Sequence, residues 1–242
     1  MTCSAVFQLL QYLQEQLPQI QQHSLTVAKL VLRVSWYAGV DTSDLEELIV
    51  AALLHDLGKT QIPLWILNKP GPLTTMEWQL MRKHPQYGVD MINHLDVSDT
   101  VRDYIQCHHE RWDGTGYLGI RGNNIPWGAC LIVVCDSWDA MTSPRPYQAQ
   151  KTIAEARREL LVMSGQQFDP EAVSLFVSMM STELSLSIEE RLERGRERAQ
   201  QLAWAYKKIT HPVAYVESLC IDDLVIAVTR SNMVGVRQGH RN

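Results

Sequence analysis

Five of the eight histidines in this chain share their surroundings with aspartate, glycine or another histidine. His55 is followed directly by Asp56 at the end of an apolar helical run. His23 falls on the apolar face of its own helical pattern, and His84 precedes Pro85 near a helix bend. His108 and His109 are adjacent, and Asp136 interrupts an otherwise apolar stretch. A lone His-Asp pair often does no more than satisfy its own hydrogen bonds. Several such groups at inward-facing positions are harder to explain that way, because each buried polar group without a strong partner gives up its water contacts. A metal centre resolves that cost. Imidazole and carboxylate together suit iron, manganese, zinc or nickel.

The elements that must carry these groups read as helices almost throughout. Residues 20–38 put His23, Val27, Leu30, Val31 and Val34 on one face at helical spacing. Residues 43–56 open on Ser43-Asp44-Leu45-Glu46, which has the form of a capping box. That helix is expected to stop at Asp56-Leu57-Gly58, with Gly58 taking the left-handed conformation of a helix end. Asn68 to Pro72 forms a rigid turn. Thr74-Thr75-Met76-Glu77 then starts a helix of about twenty residues. A helix near 97–109 ends in the paired histidines, and residues 110–127 are a long glycine-rich loop. Further helices are predicted near 128–141, 151–163 and 170–180. The run LIVV at 131–134 suits a strand in isolation, but its continuation through Ala140 and Met141 favours helix. The chain is therefore expected to be all-α: one domain over residues 1–182, then a small helical or extended appendage over 183–242. Within the appendage, Glu189–Lys208 is charge-dense and Asp222–Arg230 carries a short apolar run.

Composition narrows the setting. The 242 residues are 45% hydrophobic and 20% charged, ordinary values for a folded chain. A formal net charge of −5 argues against general attraction to a nucleic-acid polymer or an anionic membrane. No stretch approaches the roughly 20 apolar residues of a membrane span, and the N-terminus lacks the basic start of a signal peptide. Five scattered cysteines without CxxC spacing suggest reduced thiols in a cytoplasm.

Taken in order, seven segments carry a family resemblance: HSLTVAKL, LLHDLGK, IPLWILNKPGPLT, KHPQYG, HHERWDGTGYLG, IPWGACLIVVCDSWDAMTSPRPY and GQQFDPEAV. From His23 to Phe176 the chain resembles an HD-GYP domain, a branch of the HD-type metal-dependent phosphohydrolases. The resemblance implies a helical bundle around a binuclear metal centre. His23, His55, Asp56 and Asp136 would bind one divalent ion. Asp56 would bridge to a second, held by His84, His108 and His109. Iron or manganese is the implied metal, with zinc or nickel as alternatives. Family members cleave cyclic di-GMP to linear pGpG or to GMP, chemistry that a metal pair serves by activating water and stabilising charge on phosphorus. Lys59 matches a lysine near the metals and is a candidate phosphate contact or proton donor; read bare, it is a solvated charge past a helix end. Arg145 matches a position that grips substrate phosphate; read bare, it is a loop arginine paired with an acid. Asp139, one helical turn after Asp136, is expected to orient a ligand. His94, His211 and His240 fit no ligand position.

The chain departs from the family pattern at three places. Gln19 replaces the glutamate that serves a third metal, so two metals are expected. Gly116-Tyr117-Leu118 stands for Gly-Tyr-Pro, which frees the backbone and puts in doubt the family's partnership between this loop and diguanylate cyclase domains. Gln148 replaces a basic residue that helps hold substrate. The leading reading is a cyclic dinucleotide phosphodiesterase. The alternatives are an HD phosphohydrolase for another cyclic dinucleotide, and a catalytically weak metal-bound sensor. The charged helix after residue 183 offers a surface for a homodimer or packs back on the domain. About twenty residues precede His23, so an input signal is expected from elsewhere.

Overall fold

Four helix starts in the bundle carry a capping side chain, and others open on a proline. The computed structural model describes residues 3–144, 150–186 and 190. Helix α1 spans Cys3–Gln16, and Pro18 opens α2 (Pro18–Ala38), where its missing N–H costs nothing. Helix α3 (Thr42–Leu54) is capped by Asp41, whose side chain accepts from the Asp44 amide, rather than by the expected Ser43 box. Ser43 instead donates its hydroxyl to Asp41 at 2.9 Å, so the carboxylate takes the cap. A 3-10 turn, Leu57–Gln61, follows, then the short α4 (Leu64–Leu67).

The expected capping box at Thr74 and Glu77 is present, but the helix it starts is broken. It runs as α5 (Thr75–Met81) and α6 (His84–Ile92), with Pro85 in the first turn of α6. A proline has no N–H to continue the α5 ladder, so the chain restarts there. Helix α7 (Asp99–Cys107) is capped by Ser98, and α8 (Trp127–Thr142) contains the LIVV run as helix. Helices α9 (Ile153–Val162) and α10 (Pro170–Ser185) complete the order, and no strand occurs among the described residues. No helix among them is long and apolar enough to cross a membrane. The chain divides into two units, residues 1–180 and 181–242, and the bundle core and its polar cluster belong to the first. Glu189–Lys208 apart from Glu190, Asp222–Arg230, Arg145 and Gln148 lie outside the described residues.

One apolar core joins α2, α3, α7, α8 and α10 through Val27, Val31, Leu48, Ala52, Ile105, Leu131, Val134 and Phe176. Helix α2 packs on α3 and α8, α3 on α7, and α6 on the 3-10 turn. That last contact depends on Gly58. It does not adopt the left-handed helix end expected from sequence, since its φ is not positive. Its lack of a side chain serves a close approach instead. A Cβ there would lie 2.0 Å from the His84 carbonyl oxygen and 2.4 Å from the Gly88 nitrogen. Glycine thus lets the start of α6 rest directly on the turn that carries Asp56.

Gly58→Ala should force α6 away from that turn. Overpacking against backbone costs about 1–3 kcal/mol, so the expected outcome is a lowered thermal midpoint together with weakened metal retention. Calorimetry and metal analysis on the same sample check both.

Candidate metal centre

Three of the site histidines are positioned by one local device. His55 Nδ1 lies 2.7 Å from the carbonyl of Ala52, His84 Nδ1 lies 2.8 Å from that of Met81, and His108 Nδ1 lies 2.6 Å from that of Ile105. Each carbonyl belongs to the last turn of a helix, α3, α5 or α7, where acceptors have no partner further along the ladder. The imidazole N–H satisfies that carbonyl. The tautomer is thereby assigned to Nδ1–H, and each Nε2 is aimed inward as a lone-pair donor.

All three Nε2 atoms converge on Asp56. His84 Nε2 lies 3.3 Å and His108 Nε2 3.7 Å from Oδ1, and His55 Nε2 lies 3.5 Å from Oδ2. Lys59 Nζ lies 2.6 Å from Oδ2. His23 Nε2 lies 3.0 Å from Asp136 Oδ1 and 3.9 Å from Asp56 Oδ2. On its other side, His23 Nδ1 lies 2.6 Å from Asp139 Oδ2, while the Ser143 hydroxyl donates to Asp139 Oδ1 at 2.6 Å. The structure therefore gathers His23, His55, Asp56, Lys59, His84, His108, His109 and Asp136 into one place. Their donors fall into two groups that share Asp56: Asp56 with His84, His108 and His109, and Asp56 with His23 and His55. His94 stays exposed on the surface.

The donor set fits a metal. His55 Nε2 and Asp56 Oδ1 are buried without a hydrogen bond of acceptable geometry. His84 Nε2 and His108 Nε2 face each other at 3.1 Å, an approach of two lone pairs that a shared cation makes favourable. Electrostatics prepares the same chemistry. Burial pushes His55, His84, His108 and His109 below the ordinary imidazole value, keeping them neutral and able to donate. Burial alone would raise Asp56, but the neighbouring Lys59 charge holds it well below the carboxylate range. His23 goes the other way. Burial opposes its charge, yet its bonds to Asp136 and Asp139 raise it to about 9.

The glycine-rich loop lies against this cluster. Tyr117 tilts over His109 with ring centroids 4.7 Å apart, and the Arg82 guanidinium sits 4.9 Å from the Tyr117 ring centre. Gly116 is required here, because a Cβ would lie 2.6 Å from the Glu110 Cα. Sequence reasoning missed Glu110. Its carboxylate is buried and accepts from the amides of Leu118 at 2.6 Å and Ile120 at 2.8 Å. Nothing in the local pattern marked it, since an acid beside two histidines and an arginine reads as an ordinary charged loop residue.

The helical bundle and its buried His/Asp cluster define a class of helical proteins built around a histidine–aspartate core. The family model described as an HD domain matches residues 8–172. The chain belongs to that family, and its motifs resemble the HD-GYP branch. A cyclic di-GMP phosphodiesterase of Thermotoga maritima is 37% identical over 161 residues, 65% of this chain and 44% of that protein. A cyclic di-GMP phosphodiesterase of Pseudomonas aeruginosa is 40% identical over 178 residues, 72% of this chain and 42% of the relative. A 3'3'-cGAMP-specific phosphodiesterase of Vibrio cholerae is 34% identical over 64% of this chain and 30% of its own length. The chain thus spans less than half of these relatives. The fold is shared with an HDG"Y"P protein of Bdellovibrio bacteriovorus at TM-score 0.55 and 23% identity, covering 67% of this chain and 53% of that one. It is shared too with the HD domain of an L. monocytogenes phosphodiesterase solved with cyclic-di-AMP, at TM-score 0.54 and 15% identity. That match covers 73% of this chain and 94% of the solved one.

The metal-free protein should carry a pH signature. His23 is raised from 6.5 to about 9, so the stability its proton contributes is complete below pH 6.5 and lost as pH rises through about 9. Thermal melts of chelator-treated protein should therefore decline across that window, and His23→Gln should flatten the decline.

Proposed function

We propose that this chain hydrolyses a phosphodiester bond of a cyclic dinucleotide, with cyclic di-GMP as substrate and linear pGpG or GMP as product. The observation that carries the reading is the pair of donor groups sharing one buried carboxylate, Asp56. Relatives bearing cyclic di-GMP phosphodiesterase names are 37% identical over 161 residues and 40% over 178, which supports the substrate class. Relatives named for 3'3'-cGAMP favour that dinucleotide as the second candidate.

Two divalent ions are assigned to the site, iron or manganese. His23, His55, Asp56 and Asp136 would hold one, and Asp56, His84, His108 and His109 would hold the other. Such ions, when bound, supply Lewis acidity at phosphorus and lower the pKa of an attacking water. The chain's own residues do the rest. The Nδ1–H···O=C bonds at His55, His84 and His108 hold each Nε2 in place before any ligand arrives, so little reorganisation accompanies binding. Asp139 and Ser143 hold the His23 ring from behind. Lys59, partly exposed beside Asp56, serves the substrate phosphate or the departing oxygen. Arg145 is assigned to substrate phosphate from its place in the sequence motif.

Protein loaded anaerobically with Fe(II) or Mn(II) should convert cyclic di-GMP to a linear product resolved by chromatography. Asp56→Ala should reduce turnover to background and lower the metal content. Lys59→Ala should keep its metals and lose about 10²–10⁴-fold in kcat, the range for a general acid. Metal-loaded protein that turns over neither cyclic di-GMP nor 3'3'-cGAMP would overturn the proposal and leave the sensor reading.

A further inference from the structure

The Leu118 amide has a bond that a proline at that position cannot make. Leu118 is 51% exposed and lies outside the apolar core. Its N–H donates to Glu110 Oε1 at 2.6 Å, while Ile120 donates to Oε2 at 2.8 Å. The Glu110 carboxylate is 2% exposed and both its oxygens are used. These bonds bracket residues 118–120 and fasten them to the residue that directly follows His109. Arg82 adds a bond of 3.1 Å to the Gly116 carbonyl. Between these fastenings Tyr117 rests on the His109 ring and lies edge-on to His84, with centroids 6.3 Å apart. Outside them, the amides of Trp112 and Asp113 donate to the carbonyls of Gln167 and Gln166, so the loop is tied on its far side as well.

We infer that Glu110 is a positioning residue for His109, acting through the Leu118 and Ile120 amides and the Tyr117 ring, and that the backbone N–H of residue 118 is one of its two handles. The inference rests on the metal-site reading for its consequence, but not for the clamp itself. Leucine is therefore not a neutral loss of the Gly-Tyr-Pro form. In this chain the amide fastens what ring rigidity would otherwise stiffen. Restoring proline removes the N–H and leaves Glu110 Oε1 buried without its donor. Restoring the family residue thus loosens the loop.

The test compares Leu118→Ala, which keeps the amide, with Leu118→Pro, which removes it, and with Glu110→Gln. Amide exchange of the full chain is followed at residues 116–121, and the visible absorption of Co(II) added alone reports the ligand field. Leu118→Ala should match the parent in both readouts. Leu118→Pro and Glu110→Gln should raise exchange at Ile120 about tenfold and shift the Co(II) bands. Unchanged Ile120 exchange in Leu118→Pro overturns the clamp. Raised exchange with an unshifted Co(II) spectrum overturns the positioning role and leaves a structural one. A parent protein that binds no Co(II) defeats the metal reading and the positioning role with it, while the exchange comparison still decides the clamp.

Discussion

A carboxylate buried with 1% exposure sets the terms for this fold. Desolvating an ion costs several kcal/mol even after a protein relaxes around it, so Asp56 is tolerable only where cations or strong donors surround it. The structure meets part of the cost with Lys59, and the imidazole lone pairs that face both oxygens call for a further cation. Helix direction adds to the demand for a cation. Helices α3, α5 and α7 all end at the cluster, and a helix C-terminus favours positive charge by about 0.3–1 kcal/mol. The same ends supply the carbonyls that orient His55, His84 and His108. One choice, pointing three helix C-termini at one carboxylate, thus provides ligand orientation and an electrostatic preference for cations together.

That arrangement explains why the surroundings are so closely packed. The approach of α6 to the Asp56 turn leaves no room for a side chain at Gly58, and the contact of the loop with the end of α7 leaves none at Gly116. Both glycines sit one or two residues from a group of the cluster or of the loop that covers it. Behind the cluster, Asp136 and Asp139 emerge from α8, an otherwise apolar helix whose other faces fill the core. The core and the polar cluster therefore share their elements, and neither can be rearranged without the other.

Much of this is legible in the sequence alone. The helical character of most segments, the capping box at Thr74, the bend at His84 and the identity of the gathered side chains all follow from local pattern and motif. Where the expectation fails, a nearby competitor has overridden it. Asp41 outcompetes Ser43 for the α3 cap because a carboxylate two residues upstream reaches the Asp44 amide. The helix from Thr74 breaks because Pro85 cannot continue a ladder. Gly58 is needed for a different property from the one its position suggests, an absent side chain rather than a permissive backbone, since its partner is 26 residues away at His84.

The sequence by itself determined which residue types could bind a metal, in what order, and on which helices, because periodicity and capping act over a few residues. It also placed the chain among its relatives through seven short segments. Tertiary structure alone decided that five histidines and two aspartates separated by more than a hundred residues meet, that Asp56 is shared by two donor groups, and that Glu110 is buried and holds the loop. Those facts depend on helix crossings and backbone approaches between distant segments. A carboxylate reads the same in sequence whether its partner is water or an amide eight residues further on.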